Sequence, residues 1–132
     1  MNILDLSILN KKTWIVKLPN EEKYLHIKKP SHGLIIKLMQ LNSASLAFAE
    51  SMEKLNKNND IQNRKSFQQK FSEQQMDIAN LTFECTLDIL NSNIEGIKFD
   101  QNFINIYFDL ESCGIIISEF SSFAAEVIEN PN

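Results

Sequence analysis

Glycine is scarce in this chain, with three in 132 residues, and so are proline (three), cysteine (two) and tryptophan (one). Three glycines leave no material for a phosphate-cradling loop, and neither GxGxxG, a P-loop nor GxSxG occurs. Cys85 and Cys113 stand apart, without a CxxC or a histidine nearby, so no zinc-ligand spacing exists. Two free thiols suit a reducing compartment. No apolar run approaches the roughly 18 residues that a membrane span needs. The cluster Gly114-Ile115-Ile116-Ile117 stops at Ser118 and Glu119. With no charged-then-apolar leader at the start, the expectation is a cytosolic protein without a membrane role. Positive charge is lacking from the second half, where Lys98 is the only basic residue beyond Phe71.

What is present is ordinary for a soluble globular protein: 43% hydrophobic and 23% charged residues. The length predicts one domain, with residues 1–30 as an N-terminal arm and hairpin and residues 31–132 as a helical body. Charge divides unevenly. Residues 1–37 hold seven lysines against three acids, whereas residues 38–132 hold six basic groups against fourteen acids. A basic head on an acidic body attracts a second copy head to tail or an unlike partner; alternatively it serves solubility alone.

Apolar spacing predicts a mainly α protein in which a small β-hairpin packs on a bundle of about four helices. Trp14, Val16 and Leu18 alternate along one strand, and Leu25 and Ile27 along the next, with Pro19-Asn20-Glu21-Glu22 as the turn. Ile15, Tyr24 and His26 fall on the opposite face. A lone hairpin is marginal in water, so it needs helices beneath it. Residues 1–12 carry Ile3, Leu4, Leu6, Ile8 and Leu9, suited to a short helical turn or a packed arm. Pro30 and Ser31 suit a helix entry with Ser31 as N-cap. The seam Leu38, Leu41, Ser45, Phe48, Met52 and Leu55 follows, fading at residues 56–60. A second helix is expected from about Arg64 to Leu90. Its polar stripe comprises Lys70, Glu73, Asp77, Asn80, Glu84, Asp88 and Asn91, and the rest of its second half is apolar enough to be buried. After a turn at Glu95-Gly96, Asp100 caps a short helix through Phe103, Ile106, Tyr107 and Phe108. A last helix runs from Leu110 or Ser112 to Glu129, with Ile116, Phe120, Phe123 and Val127 on one face. Ile115-Ile116-Ile117 also permits a strand.

Chemistry is harder to find. Helix-borne two-metal sites combine Glu-x-x-His pairs with further glutamates, but His26 and His32 both precede the helical body. The stripe at 73, 77, 84 and 88 therefore reads as a solvated face; like charges four apart repel slightly, which favours an external basic partner. Neither cysteine has a local cation or base, as an activated thiol requires. Lys11, Lys12, Lys17, Lys23, Lys28 and Lys29 surround Trp14 and Tyr24, a combination able to hold single strands. An acidic chain with one arginine and no nucleic-acid motif argues against that use. No residue is assigned a catalytic, cofactor-binding or metal-ligating role. The second and fourth helices are more apolar than a monomer of this length needs, which points to an interface. Exposure patterns nominate Ile15, Tyr24, Phe120 and Phe123 as partner contacts.

Several short phrases carry a resemblance. Tyr24-Leu25-His26-Ile27-Lys28-Lys29-Pro30 is followed by Leu34-Ile35-Ile36-Lys37-Leu38-Met39. Ile89-Leu90-Asn91 precedes Glu95-Gly96, and the chain ends in Asn130-Pro131-Asn132. Together these resemble the tail assembly chaperones of Gram-positive siphophages and myophages over most of residues 13–132. Cys113-Gly114 with three isoleucines departs from the more evenly amphipathic last helix of that family. The resemblance implies a non-catalytic, homo-oligomeric protein of the bacterial host cytoplasm, absent from the finished virion. Such a protein binds the tape measure protein, and by extension the tail tube protein, and keeps the former soluble until the tube assembles around it. Other functions compatible with the residues are a structural head or tail completion protein and a small nucleic-acid or regulatory binder using the basic hairpin.

Overall fold

A computed structural model describes residues 12–19, 22–57 and 61–129, without the side chains of 55–57, 61–67, 128 and 129. The expectations for residues 1–11, the centre of the hairpin turn, residues 58–60 and the last three residues lie outside that range. The chain is mainly helical with a small hairpin. The elements are β1 (Trp14–Lys17), β2 (Tyr24–Ile27), α1 (His32–Lys57), α2 (Ile61–Asn91), α3 (Gln101–Tyr107) and α4 (Leu110–Glu129).

β1 and β2 pair antiparallel, with Trp14 opposite Ile27 and Val16 opposite Leu25. The period-2 alternation then does what it must: Leu18, Leu25 and Ile27 are buried, and Ile15 and Tyr24 face out. The pair is not alone. The segment after α2 runs along the outer edge of β2. The Lys28 N–H donates to Ser92 O at 2.9 Å, the Ile94 N–H donates to His26 O at 2.9 Å, and Asn93 bridges Ile27. The edge of the hairpin is therefore held by backbone contacts from residues 64 to 68 positions away, which supports so small a sheet.

Ser31 caps α1, its Oγ accepting from the Leu34 N–H at 3.2 Å. Asp100 caps α3, accepting from the Phe103 N–H at 2.9 Å, and Asp109 caps α4, accepting from the Ser112 N–H at 2.7 Å. The triple-isoleucine segment is helical, so the strand alternative fails. The second helix begins at Ile61, three residues before Arg64.

The core gathers at one end of the molecule. Leu18, Leu25 and Ile27 from the hairpin meet Leu34 of α1, Ile89 and Leu90 of α2, Ile104 of α3, and Cys113 and Phe120 of α4. Trp14 lies across Phe120 with ring centroids 5.8 Å apart, and Phe103 stacks with Phe99 at 4.6 Å and Tyr107 at 4.9 Å. α1 packs mainly along α2, and its inward stripe differs from the expected one. The residues turned to α2 are Leu34, Lys37, Leu41, Ala44, Phe48 and Ser51, while Ser45 and Met52 are exposed. Leu38 packs against the edge of the core, and an open pocket of about 300 Å³, lined also by Ser121, Ala124 and Ala125, lies between this strip of α1 and α4.

Candidate functional site

Beyond the core, α1 and α2 continue together as a two-helix arm. At 1.5 Å per residue these helices are about 39 and 46 Å long, against about 30 Å for α4. α4 starts beside the middle of α2, where Leu110 meets the surface formed by Met76, Ile78 and Ala79. The consequence is visible residue by residue. Among described positions, none from 42 to 54 and none from 68 to 77 is buried, whereas Leu41 and Thr82, at the boundary, are.

The arm holds together through a thin seam. Phe48 and Phe71 meet edge-on at 5.4 Å. Ala44 and Ser51 contribute little area, and the buried Oε1 of Gln74 has no hydrogen-bond partner. A buried acceptor left unpaired costs about 1–3 kcal/mol. The arm is thus the least stabilised part of the described structure.

On the side where α4 lies, the arm carries an open groove of about 580 Å³ lined by Ser45, Phe48, Ser72, Gln75, Met76 and Leu110, with Ile78 and Ala79 in its floor. Among the described residues, no charged one lines it. Small side chains on both walls permit close approach, Phe48 and Ile78 supply an apolar floor, and Met76, 68% exposed, forms a deformable lip. The groove continues the track that α4 occupies in the core. Its apolar lining with small side chains is chemistry against which an apolar helix face packs by dispersion and burial.

Other features are committed elsewhere. Lys37 sits on the inward stripe of α1, but its ammonium reaches Asp88 at 2.6 Å and Glu84 at 3.5 Å. The hydrogen bond that Lys37 donates to Asp88 leads in holding its pKa above the usual value. Two acids of the stripe that seemed to await an external cation are therefore paired within the chain, while Glu73 and Asp77 remain exposed. His26 also has a partner that its local sequence does not hold. Its Nδ1 lies 2.7 Å from Glu95 Oε1, and its backbone N–H donates to the same oxygen at 2.9 Å. The histidine hydrogen bond is the main cause that lowers the Glu95 pKa. This pair fastens the hairpin to the α2–α3 connection. Burial pushes the Cys85 thiol up to about 11 and raises the Cys113 thiol, so both are protonated at neutral pH. Among the described residues, no group of three or more His, Cys, Asp or Glu is placed to hold a metal ion, and no helix is long and apolar enough to cross a membrane.

The nominated partner contacts separate. Ile15 and Tyr24 are 59% and 58% exposed on the outer face of the hairpin. Phe123 is half-buried against Phe120. Phe120 is fully buried, wedged between Trp14 and Phe123, so it is a core residue and unavailable to a partner in this fold. Ser45 and Phe48 fell within the expected seam of the first helix, but Ser72 and Gln75 were missed because they look like ordinary solvent-facing positions. The one signal on α2 is Met76, a large apolar group where a solvated helix has no use for it. No family model, curated protein or solved structure matches this chain.

Proposed function

We propose that this protein is a tail assembly chaperone of a phage or prophage, a non-catalytic binder that keeps a helical tape measure protein soluble while the tail tube assembles. The observation that carries the reading is the groove on the arm, in line with α4, which among the described residues is open and lined without charge. A chaperone for a long helical client needs a surface that accepts an apolar helix face without reading a specific sequence. Methionine lips, small-residue walls and a weakly sealed seam meet that need, since they repack around different side chains. The resemblance in the Lys-Lys-Pro step, the Ile-Leu-Asn and Glu-Gly phrases and the Asn-Pro ending names the client. Short family phrases and a suitable surface thus support the same reading independently.

The test is co-expression with a fragment of the tape measure protein encoded by the same phage. The fragment is expected to be insoluble alone and soluble with this chain, and the two are expected to co-purify. Ser45→Trp with Ser72→Trp, which fills the groove from both walls at exposed positions, should abolish co-purification while leaving the helical circular dichroism unchanged. A fragment that stays insoluble beside the wild-type chain, or one that co-purifies equally with the filled variant, contradicts the reading.

A further inference from the structure

α1 and α4 both pack along α2, and a second open groove, of about 300 Å³, lies between them. Its α1 wall carries Ile35, Leu38 and Met39, and its α4 wall carries Ser121, Ala124 and Ala125. Among the described residues no charged one lines it, and Met39 is 64% exposed at its rim. The burial of α4 also runs on past the core. The core cluster reaches along α4 to Phe120, yet Ala124 and Val127, one and two turns further on the same stripe, are buried as well. A cover beyond that cluster therefore lies over this end of α4. The chain enters the fold at the same place. Trp14, the first residue of β1, lies on Phe120 and opposite Ile27, and Pro30, three residues after Ile27, lines the groove. Residues 1–11 join the described structure at the mouth of the groove.

The sequence that leads into Lys12 suits that groove. On a helix, Ile3, Leu4, Leu6, Ile8 and Leu9 scatter round the whole circumference and make no apolar face. On an extended chain Leu4, Leu6 and Ile8 share one face, with Asp5 and Ser7 on the other. We propose that residues 4–8 of this same chain lie extended in the groove between α1 and α4, with Leu4, Leu6 and Ile8 against the two walls and Asp5 and Ser7 toward solvent. The lengths agree. Five extended residues span about 13 Å, and the α1 wall from Ile35 to Asn42 is about 10 Å long. Ile8 stands four residues before Lys12, a reach of at most about 14 Å. A second copy or a foreign peptide would meet the same apolar walls, but a segment tethered at the mouth of the groove is present at a far higher effective concentration than either. The docked segment straps the hairpin to α1 and α4 and fills this groove, leaving the one on the two-helix arm open. This inference does not rest on the chaperone reading.

Oxidative crosslinking of the full chain tests it. Leu6→Cys with Met39→Cys, and Leu6→Cys with Ala125→Cys, place thiols on the segment and on an exposed position of either wall, while the native Cys85 and Cys113 are buried. A disulfide needs Cα atoms within about 7 Å of each other. Copper-catalysed oxidation should give an intrachain disulfide in at least one of the two pairs, read by peptide mass and by the mobility of the monomer on a non-reducing gel. It should form at least tenfold faster than in a control pair, Leu6→Cys with Met76→Cys, whose second thiol lies at the groove on the two-helix arm. In a separate variant, Leu4→Asp with Leu6→Asp puts charge against the apolar walls, and circular dichroism checks the fold. Its amides at 121–127 should exchange hydrogen at least tenfold faster than those of the wild type. An intrachain bond in neither wall pair overturns the proposal. So does a covalent dimer in its place, which seats the segment on another copy, an equally fast bond to the control position, or exchange that the two aspartates leave unchanged.

Discussion

Asn93 uses both ends of its amide in a nearly buried position. Its Nδ2 donates to Leu90 O and Ile97 O, each at 2.7 Å, and its Oδ1 accepts from the Ile97 N–H at 2.9 Å. It follows the end of α2, shapes the turn there and itself bridges Ile27. Asn93→Ala strands two carbonyls and one N–H, and should cost about 2–4 kcal/mol in urea unfolding. A variant within about 0.5 kcal/mol of the wild type would contradict this role. The thiols make a second residue-level prediction. With Cys85 raised to about 11 by burial, its thiolate is negligible at neutral pH. A thiol reagent should therefore modify neither cysteine rapidly in the native protein and both after denaturation. The third concerns Glu95, whose folded pKa lies below its ordinary value of 4.5 because of His26. A depressed carboxylate stabilises the fold above its unfolded pKa, and that contribution disappears as pH falls through the folded value. The stability difference between wild type and Glu95→Ala, from denaturation at several pH values, should be largest above about pH 5 and should shrink below pH 4. A difference that grows on acidification would refute the assignment. Sequence alone could not reveal the His26–Glu95 pair: the residues are 69 positions apart, and neither has a local partner that marks it.

At the scale of elements, the hairpin was legible because alternation at Trp14, Val16, Leu18, Leu25 and Ile27 has a single burial solution once a core lies on one side. Both caps, Ser31 and Asp100, were legible because side-chain capping is local chemistry. The inward stripe of α1 was not. Its apolar arc is wide near the core: Leu41 is buried, and Leu38 packs at the edge of the core beside an open pocket that α4 also lines. Periodicity merges these contacts into one seam running Leu38, Leu41, Ser45, Phe48 and Met52. α4 begins only beside Ala79, so among the described residues the α1–α2 surface beyond its first residue is left open, and that remainder is the groove. The two regimes predict different dynamics. In the free protein, hydrogen exchange should be faster for amides at 44–54 and 68–77 than for those at 82–90, where Cys85, Thr86, Ile89 and Leu90 are fully buried. Uniform protection along α2 would show that the arm is sealed as firmly as the core.

At the scale of the molecule, a well-packed head of hairpin, α3, α4 and the adjoining ends of α1 and α2 holds out a two-helix arm with an unfilled third position. The head supplies rigidity and carries the charge asymmetry, and the arm supplies an adaptable apolar seat. Composition anticipated the surplus of apolar helix surface but not its location. That location depends on where α4 begins along α2, a tertiary fact with no signature in either helix. The account rests on that seat receiving a helix from a tape measure protein. Its most direct test is hydrogen exchange on this chain with and without a co-purified tape measure fragment. Strong new protection should appear at residues 42–54 and 68–79, with the hairpin at 14–27 unchanged. Protection confined to the hairpin, or none on the arm, would contradict the account.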